Sequence, residues 1–332
     1  MELLINIFLL TGTIIGAGIF SLPEILNQTG IYFYILLFLL AFLSSYLGIK
    51  YRWIIKKTKS DNQMPSYITA ALGSGWGTTS LILFTLSLIG ALTSYLLLIN
   101  EQLGNITFFL GLTWFILLFN LKQIKKLDSF LTICLLLAVV LLTAVPQNST
   151  KNIATAIQPS WESLIKAFGA ILFSLTSFSV IPELSATGKP NLAIKITYTI
   201  VSIIYILFAQ TVNPSNKSLI LSSVVFFAVI TSYIPMSFVL EETLTKDLKI
   251  KKLPAKLTTL ILPAAIALFG IKDFITALAI TGGVFIALLQ ILIIFSYIKL
   301  KKSLIIFEKI LLYLSVAIFL LAALAEIYLY FV

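Results

Sequence analysis

From its third residue the chain is written in apolar runs of about 20 residues, the length that crosses a hydrocarbon core, separated by short polar clusters. Cutting at those clusters predicts eleven helices, over 3–28, 31–55, 76–100, 105–121, 127–145, 161–186, 191–211, 218–244, 255–271, 273–299 and 304–331. The ninth is short and holds Pro263, which softens its ends. Between the second and third runs, PSYITAALG predicts a short interfacial helix. The ten-residue alternation of a membrane barrel is absent. The first 20 residues carry Glu2, no Lys or Arg and no small-residue cleavage site, so they are expected to be a span and not a leader.

Two runs are interrupted. Residues 11–26, TGTIIGAGIFSLPEIL, place Gly12, Gly16, Gly18 and Pro23 inside the first span. Residues 173–185, FSLTSFSVIPELS, repeat the frame, with Phe-Ser and Pro-Glu pairs matching once one residue of slack is allowed. Five spans separate Pro23 from Pro182, an odd number, so the second copy crosses in the opposite sense. The fold expected is all-α and polytopic, a LeuT-like five-plus-five inverted repeat with helices 1 and 6 broken and an eleventh helix added. Its parts are the first repeat (1–145), an outer connection (146–160), the second repeat (161–302) and the last helix (303–332). Unwound backbone in a membrane survives only where it lines a cavity or a ligand, so matched breaks point to a transporter site near the midplane.

Composition agrees with a membrane protein: 59% of the 332 residues are hydrophobic and 11% charged, with a mean hydropathy of +1.07. If the N-terminus is cytoplasmic, inside loops hold all of the 23 Lys and Arg residues except Lys151, Lys166, Lys217 and Lys272. That bias predicts a multi-pass plasma-membrane protein with its N-terminus inside and C-terminus outside. It also accounts for the net charge of +10 through topology and lipid contact, and no basic patch with interleaved aromatics suggests nucleic acid. Histidine is absent and Cys134, in the fifth span, is the only cysteine. No reactive constellation predicts an enzyme, no cofactor is expected, and no ATP-binding motif is present.

At the interruptions the sequence resembles a known superfamily. GTIIGAGIFSLP is similar to the first-helix signature of amino acid/polyamine/organocation permeases. AFGAILFSLTSFSVIPEL resembles the sixth helix of their aromatic amino acid and amino acid/auxin branches, FFAVITSYIPMSFVLEETL their eighth helix, and FITALAITGGVFIALLQ their tenth. The resemblance implies an amino acid symporter, for neutral or hydrophobic substrates, driven by Na⁺ or H⁺. It implies that the amides of Gly16, Ala17, Gly18 and Ile19 receive a carboxylate, and that the carbonyl of Ile14 or Ile15 faces the amino group or the coupling ion. Phe173, Ser174, Thr176, Ser177 and Phe178 would complete the substrate site, with Phe178 or Phe173 as a gate. Thr231 and Ser232 stand where sodium-coupled members carry an ion-binding hydroxyl pair. A polyamine or other solute, or sensing without transport, stays open. The chain departs from the aromatic branch where Ser174, Thr176, Ser177 and Ser179 replace glycines, and helix 5 lacks the lysine of some proton-coupled relatives.

Structural roles compete for the same residues. Gly12 and Gly16 form a helix-packing pair. SLPE fits a capping box that would give Glu24 a local task, and Pro182 with Glu183 is expected to begin an inner half-helix. Thr231 and Ser232 have hydroxyls that commonly bond their own helix. Lys166 is expected to snorkel, Glu101, Asp273 and Glu326 to mark span boundaries, and Tyr51, Trp53, Tyr328 and Tyr330 to form interfacial belts.

Overall fold

The computed structural model describes residues 1–58, 63–117, 133, 135–139, 142, 158–213, 219–301 and 303–331. Most of the predicted fifth span, with Cys134, and residues 146–157 of the outer connection lie outside them. The described chain is helical: α1 (Glu2–Ile14), α2 (Leu22–Thr29), α3 (Tyr32–Thr58), α4 (Met64–Leu72), α5 (Ser74–Leu103), α6 (Ile106–Leu117), α7 (Trp161–Ser174), α8 (Pro190–Thr211), α9 (Leu219–Glu242), α10 (Lys252–Phe269), α11 (Phe274–Ile280), α12 (Ala287–Leu300) and α13 (Ile306–Phe331). Among the described residues seven helical stretches are long and apolar enough to cross a membrane, and α1 with Ala17–Thr29 makes an eighth, bent by 50°. Apolar side chains remain exposed around the outside, among them Phe38, Phe42, Ile203 and Leu321, as lipid contact requires.

The first span breaks where expected. After Ile14 the chain passes through Ile15 and an extended Gly16 into a 3₁₀ turn, Ala17–Ser21, before α2 resumes. The expected capping box does not form: the Ser21 hydroxyl donates to the Gly18 carbonyl at 2.8 Å, and Glu24 accepts from Gln28 one helical turn on. With the 3₁₀ turn running straight into α2, Ser21 keeps helical backbone angles and its side chain is spent on the turn behind it.

The second break is wider than predicted. Helix α7 stops at Ser174, and Pro182 starts only a three-residue 3₁₀ turn, Ile181–Glu183, in place of an inner half-helix. Tertiary bonds take over the main chain there. Tyr198 donates to the Leu175 carbonyl at 2.9 Å, and Asn6 holds Ser185 and Gly188. The chain then turns through Lys189, whose φ is +46°, into α8 at Pro190.

The stretch expected to form a short interfacial helix is helical, as α4, and is tied to the start of α5. Helix α5 ends on Gly104, whose φ of +65° is the left-handed cap that lets its N–H reach the Asn100 carbonyl. Of two π-helical turns, Thr243–Asp247 ends the span begun by α9 and Thr281–Ile286 joins α11 to α12. Tyr51 is fully buried between Tyr67 and Phe178, not a belt residue, because α4 and the second break cover it. At the same face Glu308 of α13 receives Lys50 of α3, and Lys301 and Tyr297 at 2.9 Å. Lys301 donates to the Tyr297 hydroxyl and to Glu308, and those bonds hold it above the usual lysine range.

Candidate functional site

The two breaks meet. A Cβ built on Gly18 would lie 2.6 Å from the Ser174 Oγ and 3.2 Å from its Cα, and one built on Gly16 would lie 2.6 Å from the Ser232 Oγ. Gly16 has φ −122°, open to any residue, so glycine is needed here for closeness and not for a special backbone angle. The first N–H groups of the 3₁₀ turn, at Ala17 and Gly18, have no partner within it. Those of Gly16 and Ile19 are used, by the Ile14 and Gly16 carbonyls. The donor set expected over Gly16–Ile19 therefore narrows to its middle.

Other expected residues separate into near and far. Ser232 stands beside Gly16 and hydrogen-bonds Tyr95, while Thr231 bonds back to Phe227 and Ala228 of its own helix at 3.0 Å. Ser174 and Thr176 also bond back, to Ala170 and Leu172. Ser177 pairs with the Tyr198 hydroxyl at 2.9 Å. Phe173 lies edge-on to Tyr95, 6.1 Å between centroids, and so stays at the crossing. Phe178 is drawn to the N-terminal face against Tyr51. Ile15 is fully buried, its N–H bonded to Thr11.

Tyrosines complete the crossing, and the sequence reading missed them. The Tyr205 hydroxyl sits 2.8 Å from the Ile14 carbonyl and 2.6 Å from the Ser174 carbonyl, joining the last helical residue before each break. Having one proton, it donates to one of them at a time. Tyr198 and Tyr205 are seven residues apart, hence on one face of α8. Two phenols on one stripe of an apolar span were the available signal.

The breaks divide an open side from a sealed one. Away from the N-terminus a cavity of about 370 Å³ descends to Phe20, its wall including Glu24, Gln28, Glu101, Gln102 and Asp273. Two of these carboxylates also hold structure: Glu101 accepts the Phe274 N–H at 3.0 Å, and Asp273 caps α11 through Thr276 at 2.7 Å. On the N-terminal face, Asn6 is buried, donates to the Ser185 and Gly188 carbonyls at 3.1 Å, and accepts from the Ser185 N–H at 3.0 Å. Glu2 adds contacts to Ser185 and Thr187. Arg52, also buried, reaches the Ile181 carbonyl at 3.4 Å.

No protein-family profile and no curated protein sequence matches the chain. Solved structures do. A mutant of a manganese transporter from Eremococcus coleocola superposes with a TM-score of 0.66 at 13% identity, over 97% of this chain and 85% of that one. The same transporter in complex with an aromatic bis-isothiourea substituted compound gives 0.65 at 12% identity, with the same coverage. The shared fold is LeuT-like and belongs to a multi-pass membrane protein. These neighbours overturn two expectations drawn from the motifs: membership of the amino acid/polyamine/organocation permeases, and an amino acid as the partner. The physical reason is that glycines and prolines at a break report the unwound backbone, which transporters of unlike solutes share.

Proposed function

We propose that the protein is a secondary transporter that moves a small polar organic solute by alternating access through the crossing of its two broken spans. The observation that carries this reading is the meeting of the two breaks at Gly18 and Ser174, with a cavity further along the first broken span, from Phe20 to Gln28, and the Asn6 seal on the other side. Alternating access needs such a seal to open as the cavity closes. The N–H groups of Ala17 and Gly18, unpaired within their turn, and the hydroxyls of Ser174 and Ser232 suit a solute that accepts and donates hydrogen bonds. The sequence carries no nucleotide-binding motif, and the driving force is an ion gradient, of Na⁺ or H⁺, or the solute's own. Lys50, Lys299 and Lys301 gather near the ends of α3 and α12, with Arg52 of α3 reaching the second break at Ile181, which supports a cytoplasmic N-terminus and a cavity open to the outside.

The neighbours are described as manganese transporters, and that cargo does not fit this site. Manganese is bound by oxygen- and nitrogen-bearing side chains. The chain has no histidine, and among the described residues no group of three His, Cys, Asp or Glu side chains is placed to hold a metal. The test is current from proteoliposomes on a solid-supported membrane, challenged with polyols, amines, carboxylates, nucleobases and Mn²⁺. An organic solute that evokes current supports the reading; current with Mn²⁺ alone ends it.

A further inference from the structure

Glu326 was expected at a span boundary, and the structure buries it. It lies on α13 with 1% of its surface exposed, and neither carboxylate oxygen has a hydrogen-bond partner among the described residues. Its Oε2 stands 3.1 Å from where a Cβ on Gly283 would be, against the π-helical turn Thr281–Ile286. The other glycine of that pair, Gly282, packs its main chain on Gly169 and Phe173 of α7, closer than any Cβ allows. One two-glycine step thus touches Glu326 on one side and, on the other, the helix whose Ser174 carbonyl Tyr205 holds.

One turn on along α13 the Tyr330 hydroxyl faces Glu326 and also interacts with Thr276 and Lys166, and the charged groups of the neighbouring elements are engaged as follows. From α7, Lys166 pairs with Glu162 at 2.7 Å and lies 5.7 Å over the Tyr330 ring; its field reaches Glu326 but it makes no bond to it. From α11, Asp273 caps its own helix. From the π turn, the Thr281 hydroxyl donates to the Ala277 carbonyl at 2.7 Å. From α12, Tyr297 and Lys299 are engaged at the N-terminal face, by Glu308 and by the Leu72 carbonyl. A carboxylate enclosed without donors is strongly disfavoured as an anion. A sodium ion would need several oxygen ligands, and among the described residues no hydroxyl or carboxamide hydrogen-bonds this carboxylate; a proton needs one lone pair.

We propose that Glu326 is a proton-binding site, the group that takes up and releases the coupling proton as the π turn beside Gly283 shifts against α7. The step is the reversible addition of one proton from water to a carboxylate oxygen, with no other bond made or broken. Ionised Glu326 must gain water or a donor, so release requires the contact with Gly283 to open, and that movement reaches the second break through Gly282. Coupling to a solute rests on the transporter reading above; proton binding at Glu326 does not.

The experiment is an infrared difference titration of the whole protein in proteoliposomes, with protons as the only ligand. A carboxylic acid carbonyl band is expected at low pH that vanishes on alkalinisation, shifts when glutamate is carbon-13 labelled, and is missing from Glu326→Gln. Glu326→Asp should keep an acid band that no longer answers to the glutamate label, which assigns it should the Gln variant fold poorly. A wild-type protein without the band, or a Glu326→Gln or Glu326→Asp protein that retains the glutamate-labelled band, overturns the proposal. Failure of every solute to evoke current would end the transporter reading and leave this band in place.

Discussion

The Tyr205 hydroxyl lies 2.8 Å from the Ile14 carbonyl while also lying 2.6 Å from that of Ser174, so one fully buried phenol ties the two broken spans together. A carbonyl that the motif resemblance reserved for a substrate ammonium or an ion is therefore held by the protein itself in this state. Solute entry at Ile14 requires the tyrosine to let go.

Tyr205→Phe removes that single donor, so the Ser174 carbonyl loses its side-chain partner and the Ile14 carbonyl keeps only the Gly16 N–H. A cost of about 1–3 kcal/mol is expected, seen as a lower melting temperature in detergent, together with slower flux. A variant as stable and as active as the wild type would show the bridge to be idle.

Gly18→Ala places a methyl group 2.6 Å from the Ser174 Oγ and 3.2 Å from its Cα. The hydroxyl can rotate; the main chain cannot. Expression should persist while solute-evoked current falls at least about tenfold, a loss of about 1.4 kcal/mol in binding. Undiminished current would move the site away from the first break.

Thr231→Ala and Ser232→Ala should differ, although the sequence alone makes them a pair. Thr231 bonds its own helix and should be nearly silent, whereas Ser232 faces Gly16 and Tyr95 and should change flux and its ion dependence. Equal effects in the same flux assay would argue against this division.

Asn6→Ala deletes three hydrogen bonds that close the N-terminal face. At about 0.5–1.5 kcal/mol each, their loss should populate the form open at the N-terminal face about tenfold or more. The readout is thiol labelling of Ile181→Cys in a Cys134→Ser background, expected to accelerate from the side of the membrane that holds the N-terminus. An unchanged rate would mean that Asn6 is not the seal.

The breaks were legible because Gly and Pro weaken a helix and persist inside an apolar run chiefly where the backbone must unwind or approach closely, and Gly18 and Ser174 do meet. The short helix α4 was legible for a similar reason, from Pro65 before an apolar run. What pattern could not supply was three-dimensional. Glu24 and Ser21 have the spacing of a capping box, yet the turn preceding them claims the serine. Pro182 looks like a helix start, yet Asn6 and Tyr198, distant in sequence, hold that backbone unwound. Tyr51 and Glu326 read as interfacial by their place along a span, and burial depends on neighbours from other helices. The solute class was least legible, since the motif describes main-chain geometry, which is common to transporters of different cargo.

The most direct measurement is solute counterflow into proteoliposomes for wild type and Gly18→Ala, with organic solutes and Mn²⁺ run in parallel. One class of small polar organic solute is expected to exchange through the wild type, Gly18→Ala to lose that exchange about tenfold or more, and Mn²⁺ neither to exchange nor to compete. Exchange of Mn²⁺, or organic exchange indifferent to Gly18→Ala, would rule out an organic-solute site at the first break.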